Sequence, residues 1–192
     1  MPVTPRGWEY AWLKLRAMAL LVLGQRTAAE SLFDRLLARF PDDAYGLASR
    51  AHLRAEGRRP ALAVVDAQRL VDAHPDRRAA DWFNLGFLLE DAGRFDEAEA
   101  ALRRAVALDD KLDRAWYGLG LVLIRQQRFD EAVAALERNT KLQPMSPYGW
   151  YQLARVHMDR HEPEQARKII RHLQGFEPKV AAQLERETGL SP

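Results

Sequence analysis

The side chains in this 192-residue chain whose types and spacing could do chemistry are few, and the most suggestive are histidines. In "HMDRH" (157–161), His157 and His161 stand four residues apart beside Asp159 and Glu162. On a helix that spacing puts two imidazoles on one face, an arrangement able to ligate a divalent cation. The spacing fixes no third ligand, and His161 falls where the helical pattern breaks. The histidines therefore read as surface or packing residues, and no metal site is expected. Nucleophilic chemistry has less support. There is no cysteine, which excludes thiolate nucleophiles, disulfides and thiolate metal sites. The serines at 31, 49, 146 and 191 lie in no G-x-S-x-G context or other setting for an activating base. No glycine-rich phosphate loop is present, so catalytic residues and cofactors are both expected to be none.

The carboxylate pairs Asp96–Glu97 and Asp130–Glu131 have the composition of an acid–base site, but they recur inside a repeated phrase, "RFDEAEAAL" at 94–102 and "RFDEAVAAL" at 128–136. Equivalent positions in a repeat identify them as first-turn helix residues favoured by the macrodipole. Trp82, Trp116 and Trp150 recur at the same interval of 34. They could form a ladder for stacking bases or sugars, yet their regularity is that of residues packing inside each repeat.

The elements that would position all these residues follow from the period. Pro41 and Pro75, Asp110 and Pro144, and Pro144 and Pro178 are each 34 residues apart; only Pro75 to Asp110 carries one more. Trp82, Leu85, Gly86 and Leu89 are spaced i, i+3, i+4, i+7, one face of a helix. "EDAGRFD" breaks it, with Gly93 as the turn and Asp96 as an N-cap candidate, and Ala98, Ala101, Leu102 and Ala105 form the face of a second helix. Glu99 is placed on the solvent side. Leu119 with Gly120, and Leu153 with Ala154, repeat the first-helix pattern; Ala132 with Leu136, and Ala166 with Ile170, repeat the second.

W-x2-L-G, then A-x3-L, then a closing proline or acidic turn at period 34, resembles the tetratricopeptide repeat (TPR) family. "WFNLGFLLEDAGRFDEAEAALRRAVALDD" and "WYGLGLVLIRQQRFDEAVAALERNTKLQP" carry the pattern most fully. The resemblance implies one all-α domain over 1–192: a right-handed superhelical TPR α-solenoid of antiparallel helix pairs. Repeats are expected at 10–43, 44–77, 79–112, 113–146 and 147–180, with a capping helix at 180–188. In the first two repeats the Trp is absent, and Arg16 and Arg50 stand where Leu is expected unless the register slips by one.

The resemblance also implies a concave face lined by first helices. Its positions map to Phe83 and Phe87, Tyr117 and Leu121, and Tyr151, Arg155 and Met158, with Tyr148 joining them. Lys and Asn of the family's carboxylate clamp are missing there. The expected partner is therefore a protein or peptide, bound as an extended or amphipathic-helical segment against apolar anchors. Lys+Arg at 29 against Asp+Glu at 27 gives no field suited to nucleic acid. "AMALLVL" (17–23) is too short to span a bilayer, and without a convincing cleavage site after it the chain is expected to be cytoplasmic. The alternative function is a self-associating scaffold, a homo-oligomer assembled through the N-terminal helix, which is apolar nearly all round.

Overall fold

The computed structural model describes residues 5–190, and Ser191 lies outside them. The described residues form eleven α-helices and no strand, falling into two compact units that divide between Ala92 and Gly93. The first unit holds α1 (Pro5–Val22), α2 (Arg26–Arg39), α3 (Ala44–Glu56), α4 (Pro60–Ala73) and α5 (Ala79–Asp91), each packed on the next. The second holds α6 (Phe95–Leu108), α7 (Asp113–Arg125), α8 (Phe129–Leu142), α9 (Pro147–Asp159), α10 (Pro163–Gln174) and α11 (Pro178–Thr188). There α9 also touches α7 and α11, so first helices stand side by side. No described helix is long and apolar enough to cross a membrane.

Each pair closes through a turn with one residue in the left-handed region: Gly24, Arg58, Gly93, Gln127 and His161, at φ of 72, 56, 73, 60 and 59°. Glycine occupies that region without penalty, whereas a side chain there costs about 1–2 kcal/mol. Pro60, Pro147, Pro163 and Pro178 begin their helices at positions where the missing N–H would have no intrahelical partner. Asp43 caps α3, its carboxylate accepting from the Gly46 N–H at 2.7 Å. Asp96, expected as a cap, instead lies inside the first turn of α6, whose N-cap is Arg94.

The apolar faces meet where the spacing puts them. In the second unit Ala98, Leu102, Ala132, Leu136, Ala166 and Ile170 are buried on second helices, against Leu119, Leu123, Leu153 and Ala154 on first helices. Burying each Leu or Ile contributes about 1.5–3 kcal/mol. Gly120 must be small: a Cβ there would lie 2.7 Å from Leu136 Cγ. Glu99 is not the bare surface residue expected of it. Arg128 and Arg103 reach it at 2.6 and 2.9 Å. Burial pushes its carboxyl pKa up, but these hydrogen bonds outweigh burial and hold it below the usual range.

In the first unit the two arginines are explained without a slip. Helix α3 begins at Ala44 and α5 at Ala79, so Arg50 takes the place of Leu85 and Arg54 that of Leu89. Asp66 on α4 correspondingly replaces Ala101. It is 1% exposed, and it receives Arg50 at 2.6 and 2.9 Å and Arg54 at 2.8 Å. Glu30 on α2 joins Arg54 at 3.2 Å and Arg59. The second repeat has exchanged part of an apolar layer for a closed ionic one, and Leu47, Ala51 and Leu53 keep the rest. Arg16, at the corresponding place on α1, is exposed and lies 4.5 Å over the Trp12 ring.

Candidate partner-binding face

The tryptophans close the fold at the junction between repeats. The indole N–H groups of Trp82, Trp116 and Trp150 donate to the carbonyls of Pro75, Asp110 and Pro144 at 2.7, 2.9 and 2.9 Å. All three are half-buried, so they are less enclosed than residues packing wholly inside a pair. Trp116 and Trp150 each form a wall of an open cleft between successive second helices. The cleft at Trp150 is about 590 Å³, with Leu153, Ile169, His172 and Lys168 around it, and the one at Trp116 is about 480 Å³, with Leu119, Leu123 and Arg138. The His172 ring stands 4.5 Å from Trp150 and 5.3 Å from Phe176. Sequence reasoning did not locate these clefts; the period names the Trp but not the space left beside it.

The residue after each Trp is rotated by about 100° on its helix. Tyr117 on α7 and Tyr151 on α9 thus occupy equivalent positions on adjacent first helices, as do Leu121 and Arg155. Tyr117, Leu121, Tyr151 and Met158 are half-buried, Arg155 is exposed, and Tyr148 is 70% exposed in the first turn of α9. In the first unit Phe83 and Phe87 hold the same two positions on α5, with Phe83 half-buried and Phe87 58% exposed.

One contact on this face was not foreseen. The Tyr151 hydroxyl donates to the Glu187 carboxylate of α11 at 2.7 Å, and Gln183 reaches the same hydroxyl at 3.4 Å. The Arg155 guanidinium lies 5.7 Å over the Tyr151 ring. The hydrogen bond to Glu187 raises the Tyr151 pKa and, seen from the other side, lowers that of Glu187. The capping helix therefore already sets a carboxylate against an aromatic and a guanidinium. The signal for it lay in the period: Glu187 and Gln183 straddle the position 34 residues after Tyr151, on a helix read only as a cap.

The chemistry open to the other candidates is limited. His157 Nδ1 is 2.7 Å from Glu162, while His161 stands exposed in the left-handed turn, off the helical face. Among the described residues no three His, Asp or Glu side chains are grouped to hold a metal. Asp96 and Asp130 accept from Gln126 and pair with Arg160, and Glu97 and Glu131 are bound by Arg94 and Arg128. Asp96 and Asp130 thus link neighbouring turns, while Glu97 and Glu131 each pair with the arginine three residues before them.

The sequence profile described as "Tetratricopeptide repeat" matches residues 14–78, 49–111 and 83–147. No curated protein is significantly similar in sequence. Solved structures of the same fold include a MamA protein, at TM-score 0.82 and 19% identity over 97% of this chain and 100% of that one. MamA 41-end from Desulfovibrio magneticus RS-1 aligns at 0.78 and 16% identity, over 95% of this chain and 98% of that one. YrrB, described as a TPR protein with an unusual peptide-binding site, aligns at 0.80 and 17% identity over 88% of each chain. At these identities the likeness is one of fold.

Proposed function

The chain belongs to the tetratricopeptide repeat family, and we propose that it is a non-catalytic docking module that binds a segment of a partner protein on its first-helix face. The segment is extended or an amphipathic helix. It places apolar anchors against Tyr117, Leu121, Tyr148 and Met158 and an acidic side chain near Arg155. Phe83 and Phe87 continue the same residue pattern on α5.

The observation that carries this reading is the setting of Tyr151. Its hydroxyl donates to the Glu187 carboxylate of α11, and the adjacent Arg155 guanidinium lies over its ring. A partner's acidic residue would use the same chemistry. Aromatic and arginine side chains are the usual energetic anchors of interfaces. YrrB, which shares the fold, is described as having a peptide-binding site, and that supports a peptide as the class of ligand.

The test is to capture partners from the host's lysate, identify the bound segment, and titrate it against Tyr117→Ala/Tyr151→Ala and wild type. Loss of an aromatic anchor typically costs about 2 kcal/mol or more, so the double variant should bind at least about 30-fold more weakly while keeping its helicity. A folded double variant with undiminished affinity would remove the first-helix face as the site.

A further inference from the structure

Helix α1 has two apolar faces, and the fold uses one. Leu13 and Ala17 are buried in the core with Ala29, Phe33 and Leu36 of α2, and Tyr10, Leu20 and Leu21 pack against that cluster. On the opposite side, Trp8, Ala11, Trp12, Leu15, Met18, Ala19 and Val22 are all exposed. At about 100° per residue these seven positions fall within an arc of about 120°, running the length of the helix. The arc holds no polar side chain. The spacing Trp8, Leu15, Val22 with Ala11, Met18 and Trp12, Ala19 between them is the pattern of a helix that buries a face against another helix. Trp8, Leu15 and Val22 are 62, 67 and 87% exposed, with Leu23 just beyond the helix also open.

We propose that this face is the interface of a homodimer in which two copies of α1 pack antiparallel across a two-fold axis near Leu15. Three observations select a second copy. The exposed apolar side chains amount to on the order of 700 Å², close to the roughly 800 Å² that one partner gives a standard interface. The charges flanking the stripe are already engaged within the chain, so none recruits a charged partner. Glu9 pairs with Arg39 at 3.5 Å, Lys14 lies 4.4 Å over the Tyr45 ring, and Arg16 covers Trp12. Finally, the stripe is large at one end and small at the other. An antiparallel copy sets Trp8 and Trp12 against Val22 and Met18, filling space evenly; a parallel copy would oppose Trp8 to Trp8 and Val22 to Val22, crowding one end and emptying the other. An isologous contact of this kind closes at two copies. The proposal stands on α1 alone and is independent of the partner-binding face.

The absence of cysteine makes the test clean. Light scattering over a range of concentrations should give twice the chain mass, and Leu15→Glu, which sets one carboxylate against its copy across the axis, should weaken the dimer at least about 100-fold with helicity unchanged. In an otherwise native chain, Leu15→Cys should cross-link to itself on oxidation. Trp8→Cys should do so only when Val22→Cys is also present. Tyr117→Ala/Tyr151→Ala should leave the mass at two copies. A monomer at 100-fold dilution steps up to about 0.1 mM, a dimer indifferent to Leu15→Glu, or self-cross-linking of Trp8→Cys alone would each overturn the proposal. So would loss of the dimer in the Tyr117→Ala/Tyr151→Ala variant.

Discussion

Asp66 holds two arginines in the interior of the second repeat, and removing it takes away the one fully buried carboxylate they share, leaving Arg50 with Asp34 and Arg54 with Glu30 and Asp34. Truncating one member of a buried ion pair costs about 3–5 kcal/mol, whereas an exposed pair is worth about 0–1. Asp66→Ala should therefore lower the denaturation midpoint far more than Asp34→Ala, although both carboxylates bind Arg50. Glu30 gives this cluster a pH signature. The hydrogen bond from Arg59, with burial acting against it and Arg54 acting with it, lowers the Glu30 pKa from its ordinary value. A carboxyl whose pKa is depressed by folding stabilises the native state above the unfolded value of about 4.3, and that contribution is lost as pH falls through the folded value. Glu30→Gln should thus be less stable than wild type at pH 7, with the gap closing toward pH 3; a gap that is the same at both pH values would contradict the pairing. Packing gives a third test at this scale. Ala132 is fully buried and Ala134, two residues on, is exposed. Ala132→Leu should cost about 1–3 kcal/mol by overpacking, while Ala134→Leu should leave the thermal midpoint near that of wild type.

At the scale of elements, the intra-pair turns carry the repeat more faithfully than the helices do. Gly24, Arg58, Gly93, Gln127 and His161 share one left-handed conformation even where Trp and Leu have been replaced. At Gln127 the side chain's strain exceeds the extra unfolded-state entropy of glycine, about 0.4–1 kcal/mol, by a small margin. Gln127→Gly should be neutral or stabilising by up to about 1 kcal/mol, and Gln127→Val clearly destabilising, as read by chemical denaturation. Much of the helix pairing was legible in the sequence because Trp, Leu, Gly and Ala recur in phase with proline or acidic breaks. Arg50 was not legible as a core residue. A single arginine in a leucine position looks like a register error until Asp66, on the facing helix, is known to compensate for it. His161 illustrates the converse: four residues from His157 implies a shared face only if the helix continues, and it ends two residues earlier, at Asp159. The hydrogen bond between Tyr151 and Glu187 depends on how the last helix docks, which no single repeat specifies.

For the molecule as a whole, balanced charge and a repeated helical pattern leave its surfaces as the bearers of function. Two kinds of surface are available in the second unit: the face of α7, α9 and α11 around Tyr117, Tyr151 and Arg155, and the clefts beside Trp116 and Trp150 on the side of the second helices. Residues chosen by composition alone would favour the tryptophans. Their indole N–H groups are committed to the junction carbonyls, which ties those rings to stability; the proposal therefore rests on the tyrosine and arginine side chains. The most direct measurement is backbone amide NMR of the protein titrated with the captured partner segment. The account predicts saturable shift changes concentrated in α7, α9 and α11, with Glu187 released from Tyr151 as the partner's acidic residue arrives. Changes confined to the residues around Trp116 and Trp150, with the α9–α11 contact undisturbed, would contradict it.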